Sequence, residues 1–481
     1  MDKAPQLDSL FYPRSIAVVG ATNASFFGQY PRVLREFGYK GKLFAVNTKG
    51  DEVFGLKVYR SVTEIPEAVE AAAIIIPARF VPQALEECLA KGIKAAQIFS
   101  SGFAETGEEE GRVLERQLEE KAARGIRLIG PNCFGIYCPG GGLTLLPGGD
   151  FPQESGPVAF LSQSGGHAVE LSRQAQGRGL RFSKVVSYGN ACDVDESDLL
   201  EYMARDPETK IITMYLEGPR EGRRFLELVK KTAPKKPVII WKAGLTPLGS
   251  RAAYSHTASL AGEEAIWDAL FKQTAAVRVS NLEELADTAQ AFLTLPPSTG
   301  RRIGMVGGGG GISVAAADAC SRAGLEIPPL DQEIREKLAK VLPPAGTATG
   351  NPVDLGAPIV PPPIFEGVLE TVAAVDSVDT IIATQALFYV FRSSDVLANT
   401  DDFAQSLLDA VVRVKERYRK PVVMVLPLGG EEVEMAEAEA KRRKARDWYR
   451  ERGILALPTL ERATRAIANV VEYYDKVGRR S

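Results

Sequence analysis

Histidine is scarce in this chain, and cysteine is neither frequent nor paired in sequence. The 481 residues include two histidines and five cysteines, and no two cysteines form a Cys-x-x-Cys pair. Zinc sites take most of their ligands from closely spaced cysteines and histidines, so this composition argues against zinc. Cysteines scattered in this way are typical of a reducing cytosol, where most of them are small buried hydrophobic residues.

Charge of one sign, long apolar runs and a targeting segment are also missing. The net charge of −3 provides no broad attraction to nucleic acid or to an anionic membrane. No apolar run approaches the roughly 20 residues that span a bilayer, and the first residues lack the pattern of a signal peptide. The basic run at 441–444 follows an acidic region and is predicted to be a solvated helix face. We therefore expect a cytoplasmic protein that binds neither nucleic acid nor membrane.

Two common nucleotide-binding motifs are absent. The dinucleotide pattern G-x-G-x-x-G is not met after the first apolar run. Thr22 stands where the pattern requires its second glycine, and the next glycine after Gly20 is Gly28. NAD is therefore not favoured. The phosphate loop G-x-x-x-x-G-K-[ST] does not occur in the sequence.

What the sequence does contain is a regular alternation of short apolar runs and helical segments. The length suggests about three domains, and the alternation predicts doubly wound parallel sheets, which bind ligands at the carboxyl ends of their strands. In the first third, each predicted strand ends in small or polar residues. These strands lie at 15–20, 43–46, 73–76, 96–99 and 127–129. Any one such end is explained by a tight turn, but five in one sheet favour a nucleotide-like ligand.

The middle third repeats the pattern with a serine- and glycine-rich turn at 162–166, between a predicted strand and a helix. The N–H groups of a helix N-terminus can hold phosphate there. Ser164 is not favoured as a hydrolase nucleophile, because Ser162 stands where G-x-S-x-G requires glycine. His167 suits capping or packing, and Asp195 or Ser197 is predicted to cap the helix that follows.

The last third begins after a predicted linker at 295–302, and another linker is predicted at 138–156. Five glycines at 307–311 stand between a predicted strand and a helix. They predict either a tight turn that cradles an anion or a close-packed turn.

Short segments throughout the chain resemble one family, the NDP-forming acyl-CoA synthetases, which include the succinyl-CoA synthetase alpha subunit. The similar segments are Gly20-Ala-Thr-Asn23, Asn47-Thr-Lys-Gly50, Ile76-Pro-Ala78, Ser101-Gly-Phe-Ala-Glu105, Gly130-Pro-Asn-Cys133, Ser255-His-Thr-Ala-Ser-Leu-Ala-Gly262 and Asn351-Pro-Val-Asp354. One departure is Ala258, where many members of the family have glycine.

The resemblance implies an α/β architecture of three domains. A Rossmann-like CoA-binding domain would occupy residues 1–140, a flavodoxin-like ligase domain with a phosphohistidine loop residues 155–296, and a second flavodoxin-like, ligase-associated domain residues 300–475. Coenzyme A would lie across the first sheet. Its nucleotide part would be near Gly20, Ala21, Thr22, Asn23 and Lys49. Pro77, Ala78, Ser101 and Gly102 would line its path, and Asn132 would lie close to the thiol.

The resemblance also implies the chemistry. His256 would carry a phosphoryl group, and Glu217 would accept a hydrogen bond from its imidazole. The phosphate would be received by Ser162, Gln163, Ser164, Gly165 and Gly166. The expected reaction interconverts acyl-CoA, ADP and phosphate with a small carboxylic acid, ATP and CoA.

All three predicted domains are then accounted for without an ATP-grasp module. We therefore expect ATP or ADP and Mg²⁺ to be bound by a separate beta subunit in a hetero-oligomer. Two alternatives remain at this point: a CoA-binding or thioester-sensing protein without ligase activity, and a nicotinamide-dependent oxidoreductase.

Overall fold

The computed structural model describes residues 7–25, 27–147, 150–249, 251, 263–392, 399–430, 432 and 435–478. The chain divides into two compact units, Met1–Ala286 and Asp287–Ser481. Among the described helices, none combines the length and the hydropathy needed to span a bilayer. The predicted histidine loop, with His256, lies outside the described residues.

The first unit begins with a seven-stranded sheet of order β3-β4-β2-β1-β5-β6-β7. Its strands are β1 Ser15–Val19, β2 Lys42–Val46, β3 Glu52–Val53, β4 Leu56–Tyr59, β5 Ala71–Ile74, β6 Ala95–Ile98 and β7 Arg127–Ile129. All neighbours are parallel except β3 and β4. The longer helices of this region are Tyr30–Phe37, Val81–Lys91 and Glu109–Ala123. Every residue of β1 is buried, as expected for a parallel strand that is covered on both faces.

A second seven-stranded sheet of the same unit has the order β14-β13-β12-β10-β11-β8-β9. Its strands are β8 Gly135–Cys138, β9 Leu143–Thr144, β10 Val158–Ser162, β11 Phe182–Ser187, β12 Ile211–Leu216, β13 Val238–Lys242 and β14 Val277–Val279. The helices that follow are Gly165–Arg178, Glu196–Arg205, Gly222–Thr232, Glu264–Gln273 and Leu282–Thr294. Residues 138–156, interpreted above as a linker, contribute β9, which pairs antiparallel with β8. That interpretation was wrong, because a glycine-rich sequence can close a hairpin as well as span a gap.

The second unit contains a five-stranded parallel sheet of order β16-β15-β17-β18-β19. Its strands are β15 Ile303–Gly307, β16 Val353–Asp354, β17 Thr380–Thr384, β18 Val422–Val425 and β19 Leu455–Leu457. Its helices are Gly310–Arg322, Gln332–Val341, Pro362–Ala373, Phe388–Arg392, Thr400–Tyr418, Ala436–Glu451 and Leu460–Gly478. The predicted α/β class, with doubly wound parallel sheets, is confirmed.

The glycine run after β15 forms a close-packed turn. A Cβ atom at Gly308 would lie only 1.7 Å from the carbonyl oxygen of Ala357, and Gly309 has a φ of 94°. The carboxylate of Asp354 accepts a hydrogen bond from the N–H of Gly309 at 2.7 Å. Since the chain's own carboxylate occupies this turn, the contacts favour the close-packing alternative.

The basic run at 441–444 is only partly a solvated face. Arg442 lies on the helix Ala436–Glu451 but is 5% exposed. Its Nε donates to Glu439 at 2.8 Å, and its Nη1 donates to the carbonyl of Leu426 at 3.3 Å. The prediction of a solvated helix face is therefore wrong for Arg442, because one side of the helix is packed against the sheet.

Candidate functional site

A cavity of about 320 Å³ opens at the carboxyl edge of the first sheet. Its lining comes from residues 75–77 after β5, residues 99–101 after β6, Cys133 and Phe134 after β7, and Phe27. The walls are mainly apolar and aromatic, with hydroxyl groups at Ser100 and Ser101. This combination of apolar walls and a few polar groups is typical of small-molecule sites.

The residues predicted to line the CoA path meet at this edge. Pro77 and Ser101 line the cavity. A Cβ atom at Gly102, which has a φ of 109°, would lie 3.2 Å from the Cβ of Ala78. Asn132 is next to them, since its backbone N–H donates to the carbonyl of Ser100 at 2.9 Å.

The residues predicted for the nucleotide part of CoA lie at the same edge, around β1 and β2. A Cβ atom at Gly20 would lie 2.6 Å from the carbonyl oxygen of Ile75, so this position requires glycine. The Asn47 side chain donates to the carbonyl of Ala21 at 2.9 Å and accepts from the N–H of Lys49 at 3.0 Å. The loop that contains Thr22 and Asn23 is thereby held beside Lys49. Their assignment to CoA remains a prediction.

The residues predicted to bind phosphate lie at the carboxyl ends of the neighbouring strands β10 and β12 of the second sheet. Ser164 caps the helix Gly165–Arg178, and its hydroxyl accepts from the N–H of His167 at 3.4 Å. The side-chain oxygen of Gln163 accepts from the N–H of Glu217 at 2.9 Å. The predicted phosphate turn and the predicted carboxylate are therefore adjacent, at a topological switch point of the kind where ligands bind.

Glu217 is held in a nearly closed environment. It is 6% exposed, and the hydroxyl of Tyr215 donates to its Oε1 at 3.3 Å. Burial raises the pKa of Tyr215 far above its usual value, and the Glu217 carboxylate raises it further. Tyr215 is therefore a neutral donor to this carboxylate.

His167 is a packing residue, as the sequence suggested. Its ring centroid lies 4.6 Å from that of Tyr215 and 4.8 Å from that of Trp241. Its Nδ1 is 3.5 Å from Glu170 on the same helix.

Lys242 was not predicted from the sequence to lie at this site. This lysine is 4% exposed, and its ammonium group lies 5.2 Å from the ring centroid of Trp267 and donates to the carbonyl of Ala243. Burial lowers its pKa from 10.5 to about 8, although the nearby Glu217 carboxylate acts in the opposite direction. The available signal was a lysine at the end of an otherwise apolar strand.

Two family models match the chain and define its class. A model described as a CoA binding domain matches residues 14–139. A model described as a succinyl-CoA ligase like flavodoxin domain matches residues 155–292. The chain therefore combines a CoA-binding domain with a flavodoxin-like domain of the succinyl-CoA ligase type.

Individual relatives narrow this class. The alpha subunit of the ADP-forming acetate–CoA ligase I of Pyrococcus furiosus is 38% identical over 482 aligned residues, which cover 97% of each chain. The ADP-forming acetate–CoA ligase of Methanocaldococcus jannaschii is 40% identical, over 73% of this chain and 49% of that protein. The structure of acetyl-coenzyme A synthetase 1 from Ca. Korarchaeum cryptofilum, in complex with phosphate and ADP, superposes with a TM-score of 0.80 at 30% identity, covering 98% of this chain and 97% of that chain.

This chain belongs to the NDP-forming acyl-CoA synthetases. It is a ligase of the ADP-forming type with a CoA-binding domain, as the sequence predicted. The nicotinamide-dependent oxidoreductase and the thioester sensor are not supported.

Proposed function

We propose that this chain is the alpha subunit of a synthetase that interconverts acyl-CoA, ADP and phosphate with a short carboxylic acid, ATP and CoA. Its domains would be those predicted above, residues 1–140, 155–296 and 300–475. The observation that supports the proposal best is the hydrogen bond from the backbone N–H of Glu217 to the side chain of Gln163, which joins the strand end that carries the buried Glu217 to the turn before the helix Gly165–Arg178. Both lie in the compact unit that contains the cavity of the first sheet.

In the first step, phosphate attacks the thioester carbon of acyl-CoA. A C–O bond forms, the C–S bond breaks, and the thiolate of CoA takes a proton as acyl phosphate is released. The N–H groups at the start of the helix Gly165–Arg178 would hold the phosphate, because they carry the positive end of the helix dipole.

In the second step, an imidazole nitrogen of His256 attacks phosphorus, so that a P–N bond forms and the carboxylate leaves. Glu217 would accept the proton of the other nitrogen in a hydrogen bond, which fixes the tautomer and stabilises the imidazolium character of the phosphohistidine. Transfer to ADP then regenerates the histidine. The relay divides one difficult transfer into two steps at separate places.

We further propose that ATP or ADP, with Mg²⁺, binds to a beta subunit of the ATP-grasp type. Two observations support this. The Pyrococcus furiosus relative is named as an alpha subunit, and this chain spans about half of the length of the Methanocaldococcus jannaschii ligase.

The relay is tested by incubating the complex of both subunits with γ-³²P-ATP. Wild type should give an acid-labile phosphoprotein, and His256→Ala should give none. His167→Phe is the matched control, since it removes the other histidine while keeping a ring against Tyr215 and Trp241; it should be labelled normally. Glu217→Gln should slow labelling by about a hundredfold. Labelling of His256→Ala at the wild-type level would refute the relay.

A further inference from the structure

Phe134 lies between the cavity of the first sheet and the phosphate turn of the second. It follows β7 and precedes β8, where the chain leaves one sheet and enters the other. Phe134 is one of the residues that line the cavity. A Cβ atom at Gly165 would lie 2.8 Å from Cδ2 of Phe134, so its ring is also in contact with the first residue of the helix Gly165–Arg178.

The position of this ring is fixed by its neighbours. The backbone N–H of Phe134 donates to the Ser187 hydroxyl at the end of β11, at 3.0 Å. The ring of Phe27 is tilted against it, with the centroids 6.1 Å apart. Gly135, the next residue, has a φ of 82°, and a Cβ atom there would lie 2.4 Å from Oε1 of Gln97. The backbone at Phe134 therefore has little freedom to move the ring away.

The reaction places the acyl group beside this ring. Given the proposed function, on which this step depends, the pantetheine arm enters through the cavity and phosphate is held by the helix N-terminus. The thioester carbon has to come within about 3–3.5 Å of a phosphate oxygen. Since Phe134 is in contact with both places, the substituent of the acyl group must share the space next to its ring.

We propose that Phe134 sets an upper limit on the size of the acyl group and restricts the enzyme to short, unbranched, apolar monocarboxylic acids. The cavity of about 320 Å³ has to take the pantetheine arm as well. Its aromatic walls, Phe27, Phe99 and Phe134, provide no charged partner for a second carboxylate or an amine. Burying such a group without a partner is costly, which excludes dicarboxylic and amino acids.

The test measures kcat/KM for acetate, propionate, isobutyrate and phenylacetate with the complex of both subunits. In Phe134→Ala, the ratio of the phenylacetate value to the acetate value should rise by at least about tenfold, since loss of a steric wall in an apolar pocket changes discrimination by this amount or more. Phe134→Leu should give an intermediate rise, and it serves as the test if the alanine variant does not fold. Tyr418→Ala removes a half-buried aromatic side chain of the other compact unit and should leave the ratio unchanged.

An unchanged ratio in a folded Phe134 variant that still turns over acetate would overturn the proposal. So would an equal rise in Tyr418→Ala. Failure of the proposed function is seen separately, because labelling from γ-³²P-ATP needs no acid: wild type that is not labelled contradicts the relay, whereas a labelled Phe134 variant with unchanged selectivity contradicts only the size limit.

Discussion

At the scale of the residue, Lys242 and Glu217 are the two charged groups at the ends of neighbouring strands. Glu217 directly follows β12, and Lys242 is the last residue of β13. The two strands are parallel neighbours, and Leu216 lies opposite Lys242. Both side chains are almost completely buried. The lowered pKa of Lys242 means that burial disfavours its charge more than the Glu217 carboxylate favours it.

This balance predicts how stability depends on pH. In the folded chain the pKa of Lys242 is about 8, against 10.5 for the free side chain. Between these values the unfolded chain binds more protons, so the free energy of unfolding contributed by Lys242 rises with pH across this window. At pH 7 both states are protonated and the buried charge costs stability. Lys242→Met should therefore be more stable than wild type at pH 7, with an advantage that shrinks towards pH 10.

Urea unfolding at pH 7 and pH 10 measures this difference. Lys230→Met is the control, since Lys230 pairs with Glu227 on the surface and should show almost no pH-dependent difference from wild type. A Lys242→Met variant less stable than wild type at pH 7 would mean that the surroundings stabilise the ammonium group.

At the scale of the element, the turn from β15 into the helix Gly310–Arg322 shows that the five glycines are not equivalent. Gly308 is pressed against the backbone of Ala357. Gly311 has nothing within 4 Å of the place where its Cβ would be. Close approach makes glycine necessary at Gly308, whereas nothing crowds Gly311, so the run contains both a required and a replaceable residue.

Gly308→Ala should lower the free energy of unfolding by about 3 kcal/mol or more, because its methyl group can be accommodated only by moving backbone. Gly311→Ala should leave stability unchanged or raise it by up to about 1 kcal/mol, since alanine is the better helix former. Calorimetric unfolding of the full chain compares the two variants. Equal effects would show that the turn is not close-packed.

At the scale of the whole molecule, a buried ion pair joins the two sheets of the first unit. Arg127 on β7 donates to Asp193 at 2.9 Å and to Asp198 at 3.0 Å, both of which follow β11. Asn190 adds a second connection, since its side chain donates to Glu105 at 2.6 Å and to Glu115 at 2.7 Å. These contacts hold the cavity of one sheet in a fixed position relative to the phosphate turn of the other.

Arg127→Met should therefore destabilise the first unit by about 3–5 kcal/mol, because it removes the guanidinium that pairs with Asp193 and leaves only Arg224 to pair with the buried Asp198. Arg124→Met is the matched control. Arg124 lies three residues away and pairs with Glu86 on the surface, at 2.6 Å, so its loss should cost far less stability than the loss of Arg127. Urea unfolding of both variants at pH 7 decides the question, and a cost for Arg127→Met no larger than the control's would show that the pair does not hold the sheets together.

The sequence by itself determined the parts of the fold that depend on local periodicity and local turn chemistry. The strand Arg127–Ile129 is found at its predicted bounds. Asp195 caps the helix Glu196–Arg205, as one of the two predicted candidates. Each of these features is fixed by residues within one or two turns of chain, which a single sequence displays.

Tertiary structure alone decided which residues meet. The strand Gly135–Cys138 pairs with Phe182–Ser187 rather than with the first sheet, and no local pattern specifies a partner so distant in sequence. Burial of Arg442 and the lowered pKa of Lys242 arise in the same way, from neighbours on other elements. The proposed role of Phe134 in limiting the size of the acid depends in the same way on long-range contacts, since Phe134 lines the cavity and also contacts Gly165. Composition and spacing record what each residue can do chemically, whereas burial and long-range contact determine where that chemistry is available.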